Sequence, residues 1–140
     1  MKTKVYYAGK PCIYEVATAM ARAVQQKSEP LPPSYMPEGL AIAFIGSSDK
    51  GGKPYKEVLD FINIIDPKRV QRVALFATSS SGDGSKVIAA MRTAVEARGI
   101  EVMADTFSCH GKGTFGGKMP ADDEIKAAVA FVEKIDSILG

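Results

Sequence analysis

The sequence predicts an α/β domain, a three-layer, doubly wound parallel sheet with helices on both faces. Two observations carry this. Short runs that stay apolar on both faces read as strands covered on both sides, and segments with helical periodicity lie between them. The length agrees, since 140 residues and 14.9 kDa suit one domain over 1–140, and a single core is typical up to about 150 residues.

Four clear strands are expected, at Val5-Tyr6-Tyr7, 40–45 (LAIAFI), 73–77 (VALFA) and 100–107 (IEVMADTF). Val16, Met20 and Val24 recur every fourth residue and define a first helix. Val58, Phe61, Ile62 and Ile65 define a second, Val87, Met91 and Val95 a third, and Ile125, Ala128, Val129, Val132, Ile135 and Leu139 a fourth. The breakers fall between them: Asp66-Pro67 ends the second helix, Gly99 follows the third and Pro120 precedes the fourth. Residues 28–39 carry Pro30, Pro32, Pro33 and Pro37, which excludes a central strand and leaves at most a short, Pro-rich edge strand. Helices long enough to cross over give right-handed βαβ units.

Composition excludes several classes. A hydrophobic fraction of 46% and a mean hydropathy of −0.02 rule out disorder, and no apolar run approaches the roughly 20 residues that span a membrane. The N-terminus leads straight into a strand rather than a secretory signal, so the expected compartment is the cytoplasm. A net charge of +2 gives no ground for nucleic acid. Two cysteines and the single His110 supply neither a disulfide framework nor a ready zinc site.

Three stretches carry a resemblance. Residues 44–54 (FIGSSDKGGKP) lead into the helix at Glu57-Val58-Leu59-Asp60-Phe61. Residues 73–78 (VALFAT) lead into Ser79-Ser80-Ser81-Gly82-Asp83-Gly84. Phe107-Ser108-Cys109-His110-Gly111-Lys112 closes the last strand. Together these resemble the strands and loops of the flavodoxin family. The resemblance implies a flavodoxin-like sheet of order 2-1-3-4-5, with FMN over its carboxyl edge where the strand order reverses. Carried over position by position, it assigns FMN to Gly9, Lys10, Pro11, Cys12 and Ile13, to Ser47, Ser48, Asp49, Lys50 and Gly51, and to Thr78, Ser79, Ser80, Ser81 and Gly82. It further implies an electron carrier with a redox partner protein, whose flavin does the chemistry without catalytic side chains.

The first loop departs from the family. Where that reads roughly S/T-x-T-G-N-T, this chain has Ala8-Gly9-Lys10-Pro11-Cys12-Ile13, with no hydroxyl and with Pro11 in place of an N–H donor. No aromatic stands in 79–84, and Tyr55 and Phe115 are the nearby candidates for stacking on a flavin. Lys10, Lys50, Lys53, Lys112 and Lys118 against Asp49 and Asp83 give these loops five positive and two negative charges, about +3. A basic mouth of this kind binds a phosphate or docks an acidic partner. Hence a second reading stands beside the first: a flavin-free module that uses the same edge for a protein partner or another small anion.

Strands one and five of such a sheet lie about 14 Å apart at roughly 4.8 Å per spacing, beyond the reach of a Cys12–Cys109 disulfide. Other chemistries lack their residues. The first strand is not followed by a receiver's acidic pair, Thr18 stands where a cysteine phosphatase needs arginine, and Gly9-Lys10-Pro11 is no P-loop. His110 has no partner evident in the sequence that would activate a serine nucleophile.

Overall fold

The computed structural model describes residues 2–111 and 120–139. In chain order the elements are β1 (Thr3–Ala8), α1 (Pro11–Ala23), β2 (Ser28–Pro30), β3 (Ile42–Ser48), α2 (Lys56–Ile62), β4 (Arg72–Ser79), α3 (Ser85–Glu96), β5 (Glu101–His110) and α4 (Asp122–Leu139). The strands form one sheet of order β2-β1-β3-β4-β5, and all four pairings are parallel.

Alternation along the central strands explains the three layers. In β3 and β4, Ala43, Ile45, Val73, Leu75 and Ala77 face one side and pack with Val58, Phe61 and Ile62 of α2 and Val87 and Met91 of α3. Ile42, Phe44, Ala74 and Phe76 face the other and pack with Val16 and Met20 of α1 and Val132 and Ile135 of α4. Every residue of β3 is buried, as a strand covered on both faces requires. Tyr6 packs on Phe61 with ring centroids 4.7 Å apart, and Phe107 stacks on Phe131 at 5.8 Å.

The Pro-rich stretch does supply an edge strand: Ser28–Pro30 pairs with β1, and the Leu31 N–H continues the ladder by donating to the Tyr7 carbonyl at 2.8 Å. Several expected boundaries move. Leu40 forms only an isolated bridge with Val70, so β3 begins at Ile42. The second helix ends at Ile62, although Ile65 remains in the core. The last strand continues past Phe107 to His110, because its pairing with β4 persists through Thr78↔Cys109 and Ser79↔His110. Nearer its start, Val73 pairs with Val102 but Leu75 with Thr106, so the one residue Ala74 of β4 lies opposite three of β5. Arg92 Nη2 donates to the Met103 carbonyl at 3.1 Å within that bulge.

No helix among the described residues is long and apolar enough to cross a membrane.

Candidate functional site

The register brings the carboxyl ends of the strands level. Ala8 lies opposite Ser47, Ser48 opposite Thr78, and Thr78 opposite Cys109. The segment between β1 and α1 is only Gly9 and Lys10, so the chain must turn at once from strand to helix. Gly9 does this at φ 140°, where a Cβ would stand 2.4 Å from Ser48 Oγ. Lys10 is the N-cap in extended conformation and offers no side-chain cap, and Pro11 fills the first helical turn, where its missing N–H leaves no orphan.

The hydroxyls absent from this loop arrive from the neighbouring strands. The Lys10 N–H donates to Ser48 Oγ at 3.0 Å, Ser48 Oγ shares a hydrogen bond with Thr78 Oγ1 at 3.1 Å, and Thr78 Oγ1 lies 3.6 Å from Cys12 Sγ. Ser48 and Thr78 are buried, and Gly111 backs the cluster so closely that a Cβ there would fall 2.6 Å from Cys12 Sγ. Ser47 turns away from this cluster. Its hydroxyl donates to the Ser48 carbonyl at 2.8 Å and accepts the Tyr55 N–H at 3.0 Å, fixing the start of α2. Ile13 points into the core, and its N–H turns back to the Lys10 carbonyl at 3.0 Å.

The other half of the edge is a cleft of about 300 Å³ between two loops, with Asp49, Gly51 and Gly52 on one wall and Ser81, Asp83 and Ser85 on the other. The first wall is a tight turn. Lys50 and Lys53 pair across it, Asp49 Oδ1 accepts the Gly52 N–H at 2.5 Å, and Lys50 Nζ sits 5.5 Å from the centroid of the half-buried Tyr55 ring. In the second wall Asp83 Oδ1 accepts the Ser85 N–H at 3.0 Å; bonds from Ser85 hold its carboxyl below the usual range. Ser79 is buried, while Ser80 and Ser81 are exposed.

Of the fifteen residues the sequence assigned to this edge, the structure thus gathers Gly9, Lys10, Cys12, Ser48 and Thr78 into one cluster. It places Asp49, Gly51 and Ser81 in the cleft, and turns Ile13 and Ser47 inward. Lys10, Lys50 and Lys53 stand on this edge, joined by Lys86 in the cleft wall, while Lys112, Lys118 and Phe115 lie outside the described residues. The thiols are nearer than strand spacing implied: Cys12 reaches Thr78, the pairing partner of Cys109. Both are free, and burial first, with Glu124 and Cys12 adding to it, pushes the Cys109 thiol up to about 12.

His110 does have a partner, contrary to the sequence expectation. Glu124 Oε2 accepts both the His110 backbone N–H at 2.8 Å and a bond with Nδ1 at 3.0 Å, and Glu124 Oε1 accepts the Ala121 N–H at 3.2 Å. Nothing local links two residues fourteen apart, and three acids in the first turn of α4 read only as dipole complements. No serine hydroxyl among the described residues is bonded to this ring, so no triad forms.

The hydroxyl cluster thus lies at the β1/β3 point where the strand order reverses, and the cleft lies beside it, between the loops after β3 and β4. Solved structures share this architecture. A flavodoxin from the domain Archaea superposes with a TM-score of 0.73 at 14% identity over 99% of both chains. Flavodoxin 2 from Bacillus cereus gives 0.69 at 13% over 96% of this chain and 99% of its own. The rubredoxin:oxygen oxidoreductase of Desulfovibrio gigas gives 0.66 at 12%; there this chain is covered over 99% of its length but spans only 36% of the other. No protein-family model and no curated protein matches the sequence. The chain therefore has the flavodoxin fold.

At the N-terminus of α1 the N–H of Lys10 converges with the hydroxyls of Ser48 and Thr78, beside a helix dipole that favours an anion.

Proposed function

We propose that this protein is an FMN-binding electron carrier of the cytoplasm, where its two buried thiols stay reduced. The observation that carries the reading is the convergence of Lys10 N–H, Ser48 Oγ and Thr78 Oγ1 at the first turn of α1, which restores from two neighbouring strands the donors the first loop lacks. The Lys10 N–H and the Ser48 and Thr78 hydroxyls would hold the phosphate at this turn. Lys10 sets a positive charge beside it. The cleft between Asp49 and Ser81 would hold the ring, with Tyr55 the aromatic beside the first wall. Bound FMN supplies the electron-transfer chemistry; the chain orients it and excludes water from its phosphate end. Lys50, Lys53 and Lys86 on the rim fit a redox partner with an acidic face.

Titration of the purified chain with FMN tests this. The expected result is saturable quenching of flavin fluorescence with a rise in Tm. Ser48→Ala should weaken binding about tenfold or more, as loss of a hydrogen bond to a charged group does, and Lys10→Glu should weaken it too. A second reading rests on one observation: the Ser48 and Thr78 hydroxyls already satisfy one another and are buried. On that reading the module is flavin-free and binds a protein or another small anion at the same edge. A chain that neither quenches FMN nor gains stability from it decides for the second reading.

A further inference from the structure

α1 lies over β1 and β3 with α4 along one flank, and its other flank overhangs the edge strand β2. There a cleft of about 340 Å³ opens, lined by Tyr14, Thr18 and Arg22 of α1, Gln26 and Lys27 of the turn after it, and Ser28 of β2. Residues four apart share one helix face, so Tyr14, Thr18 and Arg22 stand in a row along the wall. Ser28 faces α1 as its pairing partner Val5 does, and its Oγ shares a hydrogen bond with Thr18 Oγ1 at 3.1 Å, tying wall to floor. At the end nearer the start of α1 the Tyr14 ring is 49% exposed and packs edge-on against Tyr7, with centroids 5.8 Å apart. At the other end Arg22 and Lys27 are exposed, and no carboxylate among the described residues pairs with either.

We infer that this cleft binds a planar ring carrying a phosphate monoester, the chemistry of a nucleoside monophosphate, with the ring on Tyr14 and the phosphate between Arg22 and Lys27. The charges favour it. Glu29 faces the other side of the sheet, where Lys4 Nζ at 3.3 Å and the Ser34 N–H at 2.7 Å occupy its carboxylate. Glu15, beside Tyr14, is the one acid on the rim from α1, at the ring end. The carboxyl end of α1 carries about half a negative charge, which the two cations exceed. Arg22 brings a planar fork suited to a phosphate, and Lys27 a point charge. Tyr14 and Arg22 are about 12 Å apart along the backbone, and helical side chains lean toward the N-terminus, which brings the guanidinium closer to the ring. Between the two ends, the Thr18 and Ser28 hydroxyls and the Gln26 amide offer donors and acceptors to a sugar. An extended peptide fits less well: β2 has only three residues, and Pro30 has no N–H to pair with a new strand. The inference does not rest on FMN binding at the carboxyl edge.

Titration of the full chain with adenosine monophosphate (AMP), followed by NMR of the backbone amides, tests it. The Thr18, Gln26, Lys27 and Ser28 amides should shift together and saturate with a Kd below about 1 mM. Arg22→Ala and Lys27→Ala should each weaken binding about three- to fivefold, the range of an exposed ion pair. Tyr14→Ala should weaken it about fivefold or more through lost stacking, and Tyr14→Phe should restore it. Lys68→Ala, in the turn after α2, should bind as the wild type does. Inorganic phosphate should bind about fivefold or more weakly than AMP and be indifferent to Tyr14→Ala. Shifts that do not saturate by about 10 mM, or an affinity unchanged in Arg22→Ala and Lys27→Ala, overturn the proposal. So does inorganic phosphate binding as tightly as AMP, which would leave only a cationic patch. A glutamate-rich peptide that saturates these amides more tightly than AMP would assign the cleft to an acidic protein and likewise overturn it. Shifts confined to Ser48 and Thr78 would place AMP at the carboxyl edge instead, so the failure of this site and the failure of FMN binding are read from different residues.

Discussion

Gly9 shows how one residue can decide whether the first loop has a site at all. Its φ of 140° lies where side chains are rarely accepted, and Ser48 occupies the space a Cβ would need, with its backbone nitrogen 2.9 Å away. Gly9→Ala is therefore expected to lose roughly 2–3 kcal/mol, from backbone strain and overpacking together. Urea unfolding measures this, and a loss under about 0.5 kcal/mol, the range of ordinary surface changes, would show that the loop relaxes freely. The same contact explains what the sequence concealed. Ala8 to Ile13 contain no hydroxyl, which reads as a missing phosphate site. Ser48 stands 38 residues beyond Lys10 and Thr78 stands 66 beyond Cys12, and only the parallel register sets them at the start of α1. The pairing of His110 with Glu124 was hidden for the same reason: it exists only once β5 runs on to His110 and α4 packs back against the sheet.

At the scale of elements, periodicity located every helix, and ends were decided by capping that periodicity does not see. α1 is the clearest case. Its apolar stripe includes Val24, yet the helix stops at Ala23 because Gln25 adopts φ 58° and the Gln26 N–H returns to the Ala21 carbonyl at 2.8 Å. That closing conformation is normally given to glycine, and a side chain there costs about 1 kcal/mol. Gln25→Gly is expected to raise Tm by about 2–4 °C for a domain of this size, since relief of strain exceeds the added freedom of the unfolded chain. Calorimetry checks it; an unchanged or lower Tm would mean that the Gln25 side chain contributes more than its backbone strain removes. The α2 end follows a similar logic: Asp66 Oδ1 accepts the N–H groups of Lys68 at 2.9 Å and Arg69 at 3.0 Å, so Ile65 belongs to a turn that Asp66 organises rather than to the helix.

For the whole molecule, both helical layers were legible because strands apolar on both faces must be covered on both, whereas the sheet order came only with the resemblance to flavodoxins. The same double covering buries acids whose neutral forms the core requires. Burial, with a smaller push from Glu29, raises Tyr6 to about 12, as burial with Glu124 and Cys12 raises Cys109 to about 12. Both groups ionise more readily in the unfolded chain, near pH 8.5 for a thiol and about 10 for a phenol. A raised native pKa means that the stability is complete below the unfolded value and is lost as pH rises toward the native one. Stability should therefore hold from pH 6 to 8 and be lower by roughly 2 kcal/mol at pH 10 than at pH 7, most of it from Cys109. Urea midpoints at pH 7, 9 and 10 measure the profile. Cys109→Ala should remove most of the loss at pH 9, where tyrosine contributes little, while leaving a smaller core at every pH. A Cys109→Ala profile that still falls as steeply between pH 7 and 9 would place the alkaline loss in groups other than this buried thiol.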